Sequence, residues 1–87
     1  MSGRGGDETS DPLVVLKLPS SVYKQASRLL AGIAQAKTLA DTLHAADRAE
    51  GFTLGIETVK ALNLGAIEGL YLVFDRASQV RQQELKK

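Results

Sequence analysis

"DRAEGF", Asp47–Phe52, lies where one run of helical periodicity stops and a second has yet to begin, and its reading decides the fold. Gly51 is the residue type that takes the left-handed position just past a helix C-terminus without steric cost. With Thr53 as the N-cap of the element that follows, the stretch reads as a tight turn between two long helices.

Upstream, Val22, Ala26, Leu29, Ile33, Ala36, Ala40 and Leu43 recur at alternating spacings of four and three, which is a heptad seam. Leu30 and Leu39 widen it. Ser20 or Ser21, just after Pro19, supplies an N-cap, so the pattern predicts a first helix from about residue 21 to about residue 50. Downstream, Ile56, Val59, Leu62, Ala66, Leu70, Val73, Ala77 and Val80 mark one apolar face, and Leu64, Ile67, Tyr71 and Phe74 a second. The tail "RASQVRQQELKK" is polar and helix-favouring, with cations suited to the C-terminal dipole. A second helix is predicted from about residue 54 to about residue 85.

Three glycines fit this hairpin. Gly65 and Gly69 lie four apart on one helix face, and a turn at Gly51 sets Gly32 nearly opposite Gly69. A mid-helix glycine costs about 1 kcal/mol against alanine, so Gly32, Gly65 and Gly69 are expected to mark a close helix crossing. Two helices cover one stripe each and no more. The set Val59, Leu64, Ile67, Tyr71 and Phe74 is then left uncovered, a larger apolar patch than a monomer normally shows. The expectation is an all-α fold: a long antiparallel two-helix hairpin with a short N-terminal strand-like arm. Two copies pair into a four-helix bundle through that patch, as a homodimer.

Ahead of the helices, residues 1–11 are rich in glycine, serine and charge and read as a disordered tail. Leu13 to Leu18 form the arm, with Val14, Leu16 and Leu18 on one face. The segment "VVLKLPSSVY" resembles the opening of ribbon-helix-helix proteins, in which two such strands pair across a dimer and enter the major groove. The resemblance implies a DNA-binding regulator, with Lys17, Lys24 and Arg28 supplying the contacts. The residues argue otherwise. The helical pattern runs on through "AGIAQAKTLADTL" without the turn that family needs, and only Lys17 on the outer strand face can donate to a base edge.

Composition narrows the function class. Eighty-seven residues make one small domain, 44% apolar and 24% charged, which is the range of globular chains. Residues 1–21 carry two basic and three acidic groups, 22–51 four and three, 52–87 five and four. No segment has the single-sign field that steers a protein to nucleic acid or an anionic membrane. There is no cysteine, so disulfides, thiolate catalysis and Cys-ligated zinc are impossible. The longest apolar stretch, 61–74, is broken by Asn63 and Glu68 and is shorter than the roughly 20 residues that span a bilayer. With no apolar core in the N-terminal segment, a cytoplasmic protein is expected.

Asp41, His44, Asp47 and Glu50 follow one another at three-residue spacing, a pattern that meets metals only when facing helices add further ligands. A solvated polar face is the expectation, with no metal and no cofactor. His44 has no nucleophile or orienting partner in the sequence, and there is no phosphate loop or catalytic carboxylate pair, so no enzymatic activity is expected. Over residues 20–85 the build resembles the small helical antiactivators by which some bacteria restrain quorum-sensing transcription factors. That resemblance implies a non-enzymatic regulator whose partner is another protein, such as a transcription factor.

Overall fold

The computed structural model describes residues 11–86. A short 3-10 turn, Val14–Leu16, leads into three α-helices: α1 (Ser20–Ala34), α2 (Leu39–Thr58) and α3 (Leu64–Leu85). The fold is all-α, and no strand occurs among the described residues. Each helix packs against both others. The molecule is a slab of 39 × 39 × 18 Å, thin for helices that run 20 or more residues.

Three helices stand where the periodicity predicted two, and both boundaries have local causes. The expected first helix breaks at residues 35–38. Thr38 is an N-cap whose hydroxyl oxygen accepts from the Asp41 backbone N–H at 3.0 Å, and Asp41 adds a carboxylate to the first turn of α2. The freed carbonyl of Ala36 accepts from Arg81 Nε of α3 at 2.7 Å. The break is thus held from both sides, by a cap of its own and by a cation 45 residues away. Arg81→Ala removes a charged donor from a half-buried carbonyl, a loss of about 1.5–3 kcal/mol. Chemical denaturation should show that loss with an unchanged denaturant slope; an unaltered midpoint would mean the contact contributes nothing.

The expected turn at Gly51 is not there. Gly51 and Gly55 both lie inside α2, and Thr53, expected as an N-cap, is buried with its hydroxyl donating to the Ala49 carbonyl at 2.9 Å. The helix ends instead at Val59. Lys60 takes the left-handed conformation at φ 57°, its N–H bonds the Glu57 carbonyl, and the Ala61 N–H reaches back to the Ile56 carbonyl. This is a Schellman ending with lysine where glycine is usual. Asn63 then caps α3, its side-chain oxygen accepting from the Ala66 N–H at 2.9 Å.

The N-terminal segment is no strand either. Leu13 is fully buried, Leu16 and Leu18 pack partly against the core, and Val14 is exposed, so these side chains do not alternate between two faces. Lys17 ends the 3-10 turn in the left-handed region at φ 53°. Residues 1–10 of the expected tail lie outside the described residues. Asp11 is ordered by two bonds: Oδ1 accepts from the Leu13 N–H at 3.0 Å, and Oδ2 accepts from the Tyr23 hydroxyl.

Small side chains dominate the interior. Ala26, Ala36, Ala49, Thr42, Thr53 and Ser78 are buried beside Leu13, Ile33, Ile67, Leu70 and Phe74. The threonine hydroxyls are satisfied by carbonyls one turn back, and Ser78 Oγ accepts from Gln82 Nε2. Small residues let the helices come close, which suits a thin slab, but they leave little large apolar volume to hold it together.

Candidate functional site

Of the five residues expected to cover a dimer interface, two are inside the chain's own core: Ile67 is 2% exposed and Phe74 3%. The third helix explains this, because α1 and α2 together close a face that a hairpin leaves open. Tyr71 is half-buried at the α2–α3 junction, where its hydroxyl donates to Glu57 Oε1 at 3.2 Å. Val59 and Leu64 flank the α2–α3 turn and stand open, 72% and 66% exposed.

The glycines divide in the same way. Nothing lies within 4 Å of a Cβ placed on Gly32, and Gly65 meets only the side chain of its own cap, Asn63, at 3.5 Å. With the turns at 35–38 and 59–63, Gly32 no longer faces Gly69, and no helix crossing uses the pair. Gly69 does receive a close neighbour, the side chain of Leu16: a Cβ there would overlap Leu16 Cδ2 and press on Cγ and Cδ1 at 3.4 Å. Thus α3 is notched at Gly69 to seat the N-terminal turn. Gly69→Leu evicts Leu16 and should cost about 1–3 kcal/mol as an overpacked contact. Thermal melting tests this, and a variant as stable as wild type would show that Leu16 moves aside freely.

Tyr23 fastens the same turn to α1. Its hydrogen bond to the Asp11 carboxylate, first, and partial desolvation raise its pKa above the ordinary 10.0. Tyr71 is raised by desolvation first and then by its bond to Glu57. Both shifts favour the neutral phenol in the fold, so their stabilisation is complete below pH ~10 and is lost as pH rises through the folded-state values. A phenolate absorbance titration should place both tyrosines above the ordinary value, with Asp11→Ala bringing Tyr23 back toward it. Two ordinary titrations in the wild type would contradict this.

One concave feature was not expected from the sequence. An open groove of about 510 Å³ runs between α1 and α3, lined by Leu30 and Ala34 on one wall and Leu72, Val73, Ala77 and Val80 on the other. Pro12 borders it, and Arg76, Arg81 and Glu84 form its polar rim. Leu72 is 62% exposed, and Val80 is exposed as well. On the other side of α3, a smaller cleft of about 250 Å³ against α2 is lined by Leu43, Tyr71, Phe74 and the acids Asp47, Glu50 and Asp75.

Charge is segregated once the true helix boundaries are used. From Pro12 to Thr38 the only charged residues are Lys17, Lys24, Arg28 and Lys37, all cationic. In α2, Asp41, Asp47, Glu50 and Glu57 stand against Arg48 alone. Divisions at residues 21 and 51 had averaged this asymmetry away. The one ion pair among the described residues is Arg81 Nη1 to Glu84 Oε1 at 3.0 Å, within α3.

Asp41, His44, Asp47 and Glu50 are exposed on α2, and no group of three or more metal-ligating side chains converges among the described residues. Among those residues no helix is long and apolar enough to cross a membrane. Comparison with protein-family models, curated proteins and solved structures returned no match to the chain.

Proposed function

We propose that this is a non-enzymatic regulatory protein that works by binding another protein, and that it does so as a homodimer. The observation that carries the reading is the apolar α1–α3 groove, in which Leu72 and Val80 lie open to solvent in a single chain beside half-buried Leu30 and Val73. Open apolar floors with a polar rim are the usual form of a docking site for a protein segment. The homodimer is supported by further uncovered side chains, Leu54, Val59 and Leu64, at the end of the slab where α2 turns into α3. A partner that is a transcription factor, held inactive by the bound regulator, is the regulatory role we assign. The likeness to helical-hairpin antiactivators lends this less support than the groove does, because three helices replace the hairpin. The DNA-reading alternative has only the cationic run Lys17, Lys24, Arg28 and Lys37 in its favour, and its paired strands would require an extended Leu13–Leu18 where a 3-10 turn stands.

Light scattering behind a sizing column tests the assembly. Twice the 9.3 kDa chain mass is the expected result, with an unfolding midpoint that rises with protein concentration. A folded species of single-chain mass at micromolar concentration would overturn the homodimer and leave the groove as the binding surface of a monomer.

A further inference from the structure

We infer that residues 11–18 form a detachable strap over one end of the α1–α3 groove, and that its release lengthens the groove into one trough along both helices. The inference rests on the protein-binding reading above, since the strap becomes the contact that an incoming segment must displace. The two helices advance side by side. Tyr23 and Gly69 stand at the strapped end, and Ala36 receives Arg81 at the other. The strap bridges the first end. Asp11 accepts from the Tyr23 hydroxyl of α1, and Leu16 fills the notch over Gly69 of α3. Between these anchors Leu13 enters the core beside Ala26, Ile33, Leu70 and Phe74. Pro12, in the strap, borders the open groove, and Leu30 and Val73 of the groove pack against the same cluster as Leu13. The seat of the strap and the open groove therefore share a floor.

The strap is built to leave as a unit. The backbone N–H groups of Leu13, Val14, Leu16 and Lys17 bond only within it, to Asp11, Leu13 and Val14. Among the described residues, the Tyr23–Asp11 bond is the one hydrogen bond that ties it to a helix. Its remaining hold is apolar side chains, which can withdraw without opening any helical turn. Val14 and Val15 face solvent already. At the hinge, Lys17 keeps a left-handed backbone, φ 53°, that lysine disfavours, so opening relieves strain there and returns chain entropy. Closed, the strap leaves the short groove; open, it adds the seat of two leucines three residues apart. A segment that fills the whole trough binds only the open fraction of molecules, and its apparent affinity falls in proportion.

The test uses the full chain and no partner, so it can fail while the protein-binding reading stands. Leu13 is as deeply buried as Ile67. Leu13→Asp should nevertheless keep the helical circular dichroism of the wild type and a cooperative melt, because the strap carries the new charge out into water. It should also bind more of the apolar dye anilinonaphthalene sulfonate, through the uncovered seat; the cooperative melt distinguishes this from a molten state. The chain has no cysteine, which permits a second measurement by thiol labelling under native conditions. Leu13→Cys should react at least about tenfold faster than its own global unfolding, measured by denaturant, allows, as expected of a part that opens separately. Ile33→Cys, an equally buried site on α1, should react no faster than its global unfolding allows. A Leu13→Asp chain that is unfolded like Ile67→Asp would overturn the inference, because the segment would then be a fixed part of the core. Unchanged dye binding would overturn it too, as would a Leu13→Cys rate limited by global unfolding.

Discussion

Ile67→Asp should leave the chain unfolded, whereas Leu72→Asp, five residues along the same helix, should melt almost where the wild type does. Ile67 is closed off by the three-helix packing, and Leu72 stands on the outer wall of the groove. Removing the isoleucine forfeits about 1.5–3 kcal/mol of apolar burial. The new carboxylate must then be desolvated with no partner or take up a proton, which adds several kcal/mol more. Domains of this class hold about 5–15 kcal/mol in total, and an interior built on alanine, threonine and serine places this one toward the low end. At Leu72 the same change touches solvent, and surface substitutions fall within about 0.5 kcal/mol plus a small helix-propensity penalty. Far-ultraviolet circular dichroism through a thermal ramp reads both. A folded Ile67→Asp monomer would place that side chain at an intermolecular surface, as the two-helix reading had it. Loss of folding in Leu72→Asp would mean the groove wall is covered in the native assembly and needed for its stability.

That contrast marks what the amino-acid pattern conveyed and what it could not. The seam of Val22, Ala26, Leu29 and Ile33 is the buried side of α1, and the positions of Leu70 and Phe74 inside α3 follow from periodicity as well. Helical periodicity reports burial through one rigid element and says nothing about its phase after a break. Past residues 35–38 the buried side of α2 is Thr42, Ala49 and Thr53, while Ala40 and Leu43, which continue the α1 seam, face outward. The break had a local signal, a threonine followed three residues later by an aspartate, the form of an N-terminal cap. The Arg81 bond that secures it spans 45 residues and has no local signature. Asn63 was likewise a cap that resembled a mere interruption of an apolar run. The groove was illegible for a related reason: Leu72, Val73 and Val80 are plainly apolar, but which of them stays open depends on how far apart α1 and α3 sit.

Glycine misled most, and substituting it should produce the largest gain in stability available to the chain. Gly32, Gly51 and Gly55 are all helical and exposed, none has a positive φ, and a Cβ on any of them meets nothing within 4 Å. Each therefore carries the entropic cost of a helical glycine with no packing return, about 1 kcal/mol relative to alanine. The triple variant Gly32→Ala, Gly51→Ala, Gly55→Ala should gain about 2–3 kcal/mol: Gly32 lies on another helix and adds independently, while Gly51 and Gly55 are neighbours one turn apart whose two small methyl groups find open space. For a chain of this size each kcal/mol moves the melting temperature by about 4–8 °C, so a rise of roughly 10–20 °C is expected. The opposite substitution belongs at residue 60, where lysine holds a left-handed backbone at φ 57°. Lys60→Gly relieves a strain of about 1 kcal/mol there. The two changes discriminate between folds. If the chain turned at Gly51, alanine at that position would be forced into the left-handed region and the variant would be destabilised, and Lys60→Gly would weaken the middle of a helix. Differential scanning calorimetry on the Gly51→Ala and Lys60→Gly single variants decides it: both melting temperatures rise if α2 runs from Leu39 to Thr58, and both fall if the chain is a two-helix hairpin.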